Sequence, residues 1–283
     1  MTAVRFGNAG LFGTITISID PILARIGHFG LGWYGIAVGA AIATGLVVAR
    51  REARRRNVDP DAVLRVAAWS IAGGFVGARA LFVVDHWSRY ASDPLGGLAI
   101  QEGGLAIQGA LLGGLLAGVV AARQARLPVL VLADIAAPAA VLGQAIGRLG
   151  CLVTGDALGS PTSLPWGVSY TNPAAMAPQP GVSFQPVFAY EALWDLAVFA
   201  LLWRVRTRGW EPGRLFAAYL GLYAAGKFGL TFLRQERVWA LGLQEAQFAA
   251  GVLLLGALGF WAFSALRGSR AVPAASPAGS GGS

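Results

Sequence analysis

The sequence is poor in charged residues, in histidine and in cysteine. Only 13% of its 283 residues are Asp, Glu, Lys or Arg, about half the share found in an ordinary soluble domain. The single cysteine, Cys151, excludes an intrachain disulfide, and two histidines offer few ligands for a metal. We therefore expect no metal site and no soluble cofactor.

Apolar residues take the place of the missing charges. They make up 55% of the chain, and the mean hydropathy is +0.59, values that indicate an integral membrane protein. Apolar runs of roughly 17 to 20 residues, enough to cross about 30 Å of hydrocarbon, begin near Leu31, Val66, Gly104, Pro128, Val187, Leu215 and Ala246. The pattern predicts an all-α bundle of seven transmembrane helices.

The two ends of the chain read differently from this bundle. The opening "MTAVRFGNAGLFGTITISID" lacks the basic-then-apolar pattern of a cleaved signal peptide, so we predict a mature segment lying on the surface. Residues 271–283, "AVPAASPAGSGGS", are predicted to form a disordered tail. Residues 1–270 are predicted to form a single membrane domain.

Basic residues are spread unevenly between the two sides of the predicted bundle. Of the 22 Lys and Arg residues, 14 follow the first, third, fifth and seventh helices, and 6 lie on the opposite side. The positive-inside rule then places the amino terminus outside and the carboxyl terminus in the cytoplasm. Because the arginines lie between apolar runs, not on a soluble basic face, the composition argues against nucleic-acid binding.

Five ionisable residues fall inside predicted helices, where a charge is costly unless it faces a partner or a cavity. They are Arg79, Asp134, Glu191, Asp195 and Lys227. One interpretation is structural pairing of Arg79 or Lys227 with an acidic residue, and the other is ligand binding. Glycines at four-residue spacing, such as Gly73 with Gly77 and Gly109 with Gly113, predict close helix packing.

The most distinctive stretch is "GRLGCLVTGDALGSPTSLPWGV" at 147–168, which starts a long segment, 147–186, predicted to face outward. Three prolines in "TNPAAMAPQPG" argue that much of this segment is irregular, with room for several short surface helices. Together with "DPILARIGHFGLGWYG", "EGGLAIQGALLGG", "QPVFAYE" and "GKFGLTFLRQE", it resembles the bacterial prolipoprotein diacylglyceryl transferases. The resemblance covers nearly the whole chain except the tail.

This resemblance implies a multi-pass enzyme of the bacterial cytoplasmic (inner) membrane. Such an enzyme moves the diacylglyceryl group of phosphatidylglycerol to the lipobox cysteine of a prolipoprotein signal peptide, and glycerol 1-phosphate leaves. Its partners are therefore the phospholipid, the signal peptide and the bilayer. We expect the chain to act as a monomer.

The reaction needs cations for the phosphate and help in ionising a thiol. We expect Arg148 to hold the phosphate, with Arg234 as a second contact, although Arg148 could instead snorkel to the headgroups. Asp156, at a glutamate position of the family, could orient Arg148 or accept a proton. Gly159 would let backbone amides approach the headgroup. Tyr34 matches a functional tyrosine of the family, and belt tyrosines are equally common.

The sequence departs from the family at several of these positions. Gln108 stands where the family has a histidine, and glutamine cannot accept a proton near neutral pH. Cys151 replaces an asparagine, and Lys227 and Thr231 replace an arginine and a glutamate. Gln185 stands where a histidine precedes the proline of the fifth helix. Arg79 and Lys227 remain expected phospholipid contacts.

Cys151 has three interpretations: a small buried residue, a nucleophile activated by Arg148, or, least well supported, a lipobox cysteine. His86 in an outer loop could replace the missing base. Three functions stay open. The chain is a divergent diacylglyceryl transferase, a paralogue with another acceptor, or a non-catalytic protein that binds or translocates phospholipid.

Overall fold

The computed structural model describes residues 4–7, 14–27, 29–91, 96, 104–234, 238–240 and 242–269. Within these residues the chain is mostly helical. The helices are α1 (Trp33–Arg55), α2 (Pro60–Asp85), a short α3 (Trp87–Tyr90), α4 (Ile107–Gln124), α5 (Val129–Thr154), α6 (Val187–Val205), α7 (Arg214–Thr231) and α8 (Glu245–Ser269). The seven long helices begin close to the predicted positions, except that Pro60 at N1 and the Asp59 cap start α2 earlier than expected.

Among the residues that the structure describes, five helices are long and apolar enough to cross a membrane: α1, α2, α4, α5 and α8. Two other long helices, α6 and α7, do not meet that measure. They carry Glu191 and Asp195 on α6 and Lys227 on α7. These charges inside the helices set α6 and α7 apart from the five more apolar helices.

Glycines bring α2 and α4 into backbone contact, as their spacing predicts. A Cβ added at Gly73 would lie 2.7 Å from the carbonyl oxygen of Gly113, and one added at Gly77 would lie 2.9 Å from the Gly113 Cα. No side chain fits between such surfaces. The predicted close packing is confirmed for this pair of helices.

Several helices meet at one end of the bundle through buried acidic residues. Glu52, near the end of α1, pairs with Arg55 and with Arg206 after α6. Asp134 in α5 accepts hydrogen bonds from the backbone amides of Gly213 (3.0 Å) and Phe216 (2.9 Å) at the start of α7. The basic loops after α1 and α6 therefore share one end of the molecule.

Asp134 pairs with a cation that the sequence did not single out. Among the acidic residues considered as partners of Arg79 or Lys227, Asp134 lies instead beside Arg56, whose Nη1 is 3.4 Å from Oδ2. Asp134 lies in the second turn of α5, so it meets the loop residue that follows α1. It is fully buried and holds the first turn of α7 as an N-terminal cap does.

Three small sheets accompany the helices in the described residues. The all-α prediction did not include these sheets. They contain β1 (Val4–Gly7), β2 (Thr14–Ile17) and β5 (Val168–Tyr170), then β3 (Ile22–Ile26) with β4 (Phe29–Gly32), and β6 (Val238–Ala240) with β7 (Leu243–Gln244). β1 pairs antiparallel with β2, and β2 pairs parallel with β5. Ile17 is only 1% exposed, because it packs against Val168 and Tyr170. That the opening segment lies on the membrane surface stays a prediction.

The long segment after α5 is irregular, as its prolines predict, but it contains no short surface helix. Gly155, at φ 73°, ends α5 in the left-handed region. Residues 155–186 then hold only the strand β5.

Burial, together with the nearby Asp156 and Cys151, raises the pKa of Tyr170. Its hydroxyl therefore stays protonated and donates to the Leu152 carbonyl at 2.9 Å. The predicted tail, 271–283, lies outside the described residues.

Candidate functional site

The centre of the candidate site is a carboxylate held between two cations. Glu191, in the second turn of α6, lies 2.7 Å from Nη2 of Arg148 through Oε2 and 2.7 Å from Nζ of Lys227 through Oε1. Arg148 is near the end of α5 and Lys227 near the end of α7. The pair between Lys227 and Glu191 is one of those considered for Lys227, and Glu191 joins three helices at one point.

These residues line a small cavity between α5, α6 and α7. Its volume is about 10 Å³, room for roughly one water molecule. The remaining lining residues are Trp194, Asp195, Tyr223, Gly226 and Leu230. A Cβ at Gly226 would overlap the Trp194 indole, which donates to the Leu222 carbonyl at 2.9 Å. Close packing of α6 on α7 therefore keeps the cavity narrow in this state.

A second cluster of polar side chains lies between Arg148 and the end of α5. Cys151 Sγ lies 3.5 Å from Oδ2 of Asp156, and the Thr154 hydroxyl donates to the other oxygen of Asp156. Arg148 is close enough to Cys151 to interact with it electrostatically. The carboxylate that pairs with Arg148 is Glu191, not Asp156, so Asp156 does not orient the guanidinium directly.

Tyr34 lies beside this second cluster. It is the second residue of α1, its side chain is half exposed, and its ring would be 3.0 Å from a Cβ added at Gly150. The charges of Arg148 and Asp156 both act on its hydroxyl. The fold therefore brings Tyr34 close to Arg148 and Asp156, which are far from it in the sequence.

Arg79, a further expected phosphate contact, has partners within the chain. Arg79 is 5% exposed. It donates to the carbonyls of Gly104 (3.0 Å) and Gly96 (3.4 Å), and its guanidinium faces the rings of Phe82 and Tyr90. This arrangement gives Arg79 a clear structural role in joining α2 to the segment before α4.

Arg234 and Gly159 lie where the segment after α7 meets the segment after α5. The backbone carbonyl of Arg234 accepts from the Gln244 side chain at 2.9 Å. The Gly159 amide donates to the Gln185 carbonyl at 2.9 Å, and a Cβ there would be 2.6 Å from the Leu233 carbonyl oxygen. Gly159 therefore permits a close backbone approach, and its own amide is already occupied.

Gln108, at the position of the family histidine, and His86, considered as a replacement base, lie away from this cavity. Gln108 is exposed in the first turn of α4, a helix that packs mainly on α2. His86 follows α2, stacks on Phe82 with ring centroids 4.3 Å apart and has Nδ1 3.1 Å from the Phe82 carbonyl oxygen. Neither residue lines the cavity between α5 and α7.

Glu191 and Asp195 are recognisable in the sequence as charges inside a helix, but they are not among the predicted site residues. Their four-residue spacing is the signal that could have placed them there, because it puts both carboxylates on one face of α6. Tyr223, four residues before Lys227, carries the same signal on α7. Its phenol interacts electrostatically with Arg148, Glu191 and Asp195.

Comparison with known proteins points to one family. The family model described as "Prolipoprotein diacylglyceryl transferase" matches residues 21–263. A protein named phosphatidylglycerol–prolipoprotein diacylglyceryl transferase from Nostoc sp. is 38% identical over 239 residues, covering 81% of this chain and 84% of the relative. Proteins of the same name from Gloeobacter violaceus (38%; 86% and 93% covered) and Pediococcus pentosaceus (31%; 87% and 90%) are also similar.

Proposed function

The chain belongs to the prolipoprotein diacylglyceryl transferase family, and from this membership we propose that it transfers the diacylglyceryl group of phosphatidylglycerol to the lipobox cysteine of prolipoproteins. Glycerol 1-phosphate is the leaving group. The observation that carries the proposal for the site is the pair of cations, Arg148 and Lys227, held by Glu191 at a cavity within the bundle. Two fixed cations suit an anionic phosphodiester.

The proposed topology has seven membrane spans in the bacterial cytoplasmic membrane, with the amino terminus outside. It counts α6 and α7 as spans, because Glu191 on α6 pairs with Arg148 of α5 and Lys227 of α7 inside the bundle, so these charges need not face lipid. The meeting of basic loops near Glu52 and Asp134 supports a cytoplasmic end there. The candidate site then lies toward the outer face, and the chain acts as a monomer.

Arg148 and Lys227 are the proposed phosphate ligands. The Arg148 side chain is 25% exposed although it is paired with Glu191, and a guanidinium has five N–H donors, so it can bind a phosphate and keep this partner. When the sulfur of the acceptor bonds to the glycerol carbon, the bond from that carbon to the phosphate oxygen breaks. The negative charge that then grows on the leaving phosphate is stabilised by both cations in a medium of low dielectric constant.

Asp156 is the proposed acceptor of the thiol proton. Gln108 cannot take this proton, and Asp156 is a carboxylate held in place by contacts with the Thr154 hydroxyl and the Cys151 thiol. The half-exposed Tyr34 is a proposed headgroup contact at the same place. Gly159 and Arg234 support the segment around this site, and we assign them no direct contact with substrate.

The test is transfer from radiolabelled phosphatidylglycerol to a synthetic lipobox peptide by the purified protein in detergent, with glycerol phosphate release followed in parallel. We expect both signals. Release of glycerol phosphate without peptide labelling would point to another acceptor or to Cys151. Absence of both signals would contradict the transferase and favour a relative that binds phospholipid without chemistry.

A further inference from the structure

Asp195 lies in the cavity between α5, α6 and α7 without a role in the transfer chemistry. It is 3% exposed and faces the cavity one helical turn after Glu191. In the described part of the chain it accepts no hydrogen bond, whereas Glu191 holds both cations at 2.7 Å. The two buried carboxylates therefore differ in what it costs to protonate them.

The groups that act on Asp195 come from all three helices around the cavity. They are Arg148 on α5, Glu191 on α6, and Tyr219, Tyr223 and Lys227 on α7. The two phenols are neutral. With every acid and base ionised, two positive and two negative charges balance, and the empty cluster has no net charge.

An anionic headgroup disturbs this balance. A phosphodiester brings one negative charge into a site of low dielectric constant, where an uncompensated charge is expensive. One added proton on a carboxylate restores neutrality. Protonating Glu191 would weaken its ion pairs with both cations, whereas protonating Asp195 disrupts no hydrogen bond. The proton is therefore less costly on Asp195.

We propose that Asp195 takes up a proton when an anionic phospholipid headgroup binds at Arg148 and Lys227. This inference rests on the proposed function for the substrate class and adds a pH dependence to the same site. Low pH favours the protonated form, which is the form that binds. Affinity therefore falls as pH rises, by up to about tenfold per pH unit when one proton accompanies each lipid.

The experiment is equilibrium dialysis of radiolabelled short-chain phosphatidylglycerol against the purified protein in detergent over a pH series, with no acceptor peptide. The wild type should bind less tightly as pH rises. Asp195→Asn is neutral at every pH and of nearly the same shape, so its affinity should be flat and should exceed that of the wild type at the alkaline end. Asp85→Asn is the matched control, because it removes a carboxylate that is 76% exposed and does not line the cavity, and it should keep the pH dependence of the wild type.

A second measurement needs no variant. In weakly buffered solution with an indicator dye, adding phosphatidylglycerol to the wild type should raise the pH by an amount approaching one proton per bound lipid. Phosphatidylcholine, whose headgroup has no net charge, should not. This readout decides the question even if Asp195→Asn fails to fold.

Three results would overturn the proposal: a pH-independent wild type, no proton uptake, or a pH dependence that persists in Asp195→Asn. A loss of affinity in Asp195→Asn that is equal at every pH would assign Asp195 a structural role only. The test is separable from the transferase proposal. If lipid binding depends on pH and no peptide is labelled, the role of Asp195 stands and the transferase proposal is contradicted. If the peptide is labelled and lipid binding does not depend on pH, the transferase proposal stands and the role of Asp195 is contradicted.

Discussion

At the scale of single residues, Arg148 has the greatest expected effect. Arg148→Ala removes a phosphate ligand and leaves Glu191 with Lys227 alone. We expect transfer to the lipobox peptide to fall by about 10²- to 10³-fold, the usual loss when one donor to a developing anion is removed. Arg65→Ala, whose side chain is 67% exposed, is the matched control and should keep wild-type activity. An active Arg148→Ala would show that the phosphate binds elsewhere.

Cys151 gives the opposite prediction. Its thiol is buried and lies 3.5 Å from the Asp156 carboxylate, a neighbour that disfavours a thiolate. We therefore expect Cys151→Ala to keep transfer within about threefold, the effect of a small packing change. Mass spectrometry of the wild type after turnover should find no lipid on Cys151. A covalent adduct, or an inactive alanine variant, would make this residue the nucleophile.

The site residues that are close together in the sequence could be predicted from it. The site residues that only helix packing brings together could not. Arg148, Cys151 and Asp156 fall within one motif, so their proximity could be predicted. The ion pair between Arg148 and Glu191 could not be predicted, because it depends on how α5, α6 and α7 are rotated against each other. Asp134 shows the same limit, since its partner follows from which loop lies over the start of α5.

At the scale of elements, the contact between α2 and α4 depends on glycine. Gly77→Ala places a methyl group against the backbone of α4, and we expect a loss of roughly 1 to 3 kcal/mol from overpacking. Gly39→Ala is the control: nothing lies within 4 Å of its added Cβ, and alanine favours a helix over glycine. Thermal unfolding in detergent should separate the two, and an equal effect of both would contradict the contact.

The start of α7 depends on Asp134. Asp134→Ala leaves the amides of Gly213 and Phe216 and the Arg56 guanidinium without this partner. Breaking a buried charged contact of this kind costs about 3 to 5 kcal/mol. Asp134→Asn keeps one acceptor oxygen and should lose less. Asp85→Ala, with a side chain 76% exposed, should change the unfolding temperature little, and a similar fall in all three variants would refute the capping role.

Helices could be predicted from the sequence, and strands could not. A helix forms its hydrogen bonds within one apolar run, so hydropathy alone finds where it lies. β2 instead pairs with β5, and Thr16 is matched with Ser169 far along the chain. Each of these strands has three or four residues, too few for a clear alternating pattern, and the partner of each strand is set only by the tertiary fold.

At the scale of the whole molecule, the proposed orientation can be measured directly. Met176 is exposed in the segment after α5, and Arg54 is exposed at the end of α1. In a Cys151→Ala background, Met176→Cys should react with a membrane-impermeant maleimide in intact cells. Arg54→Cys should react only after the membrane is opened. Labelling of Arg54→Cys in intact cells would reverse the orientation.

The pairing of β2 with β5 also bears on how the protein is made. Residue 15 leaves the ribosome long before its partner Val168, and at about 5 to 20 residues per second the delay is on the order of ten seconds. In the proposed orientation, four long helices insert during this interval while β2 waits on the outer side without its β5 partner. We therefore expect an exported intermediate that is open to chaperones and proteases until the segment after α5 arrives.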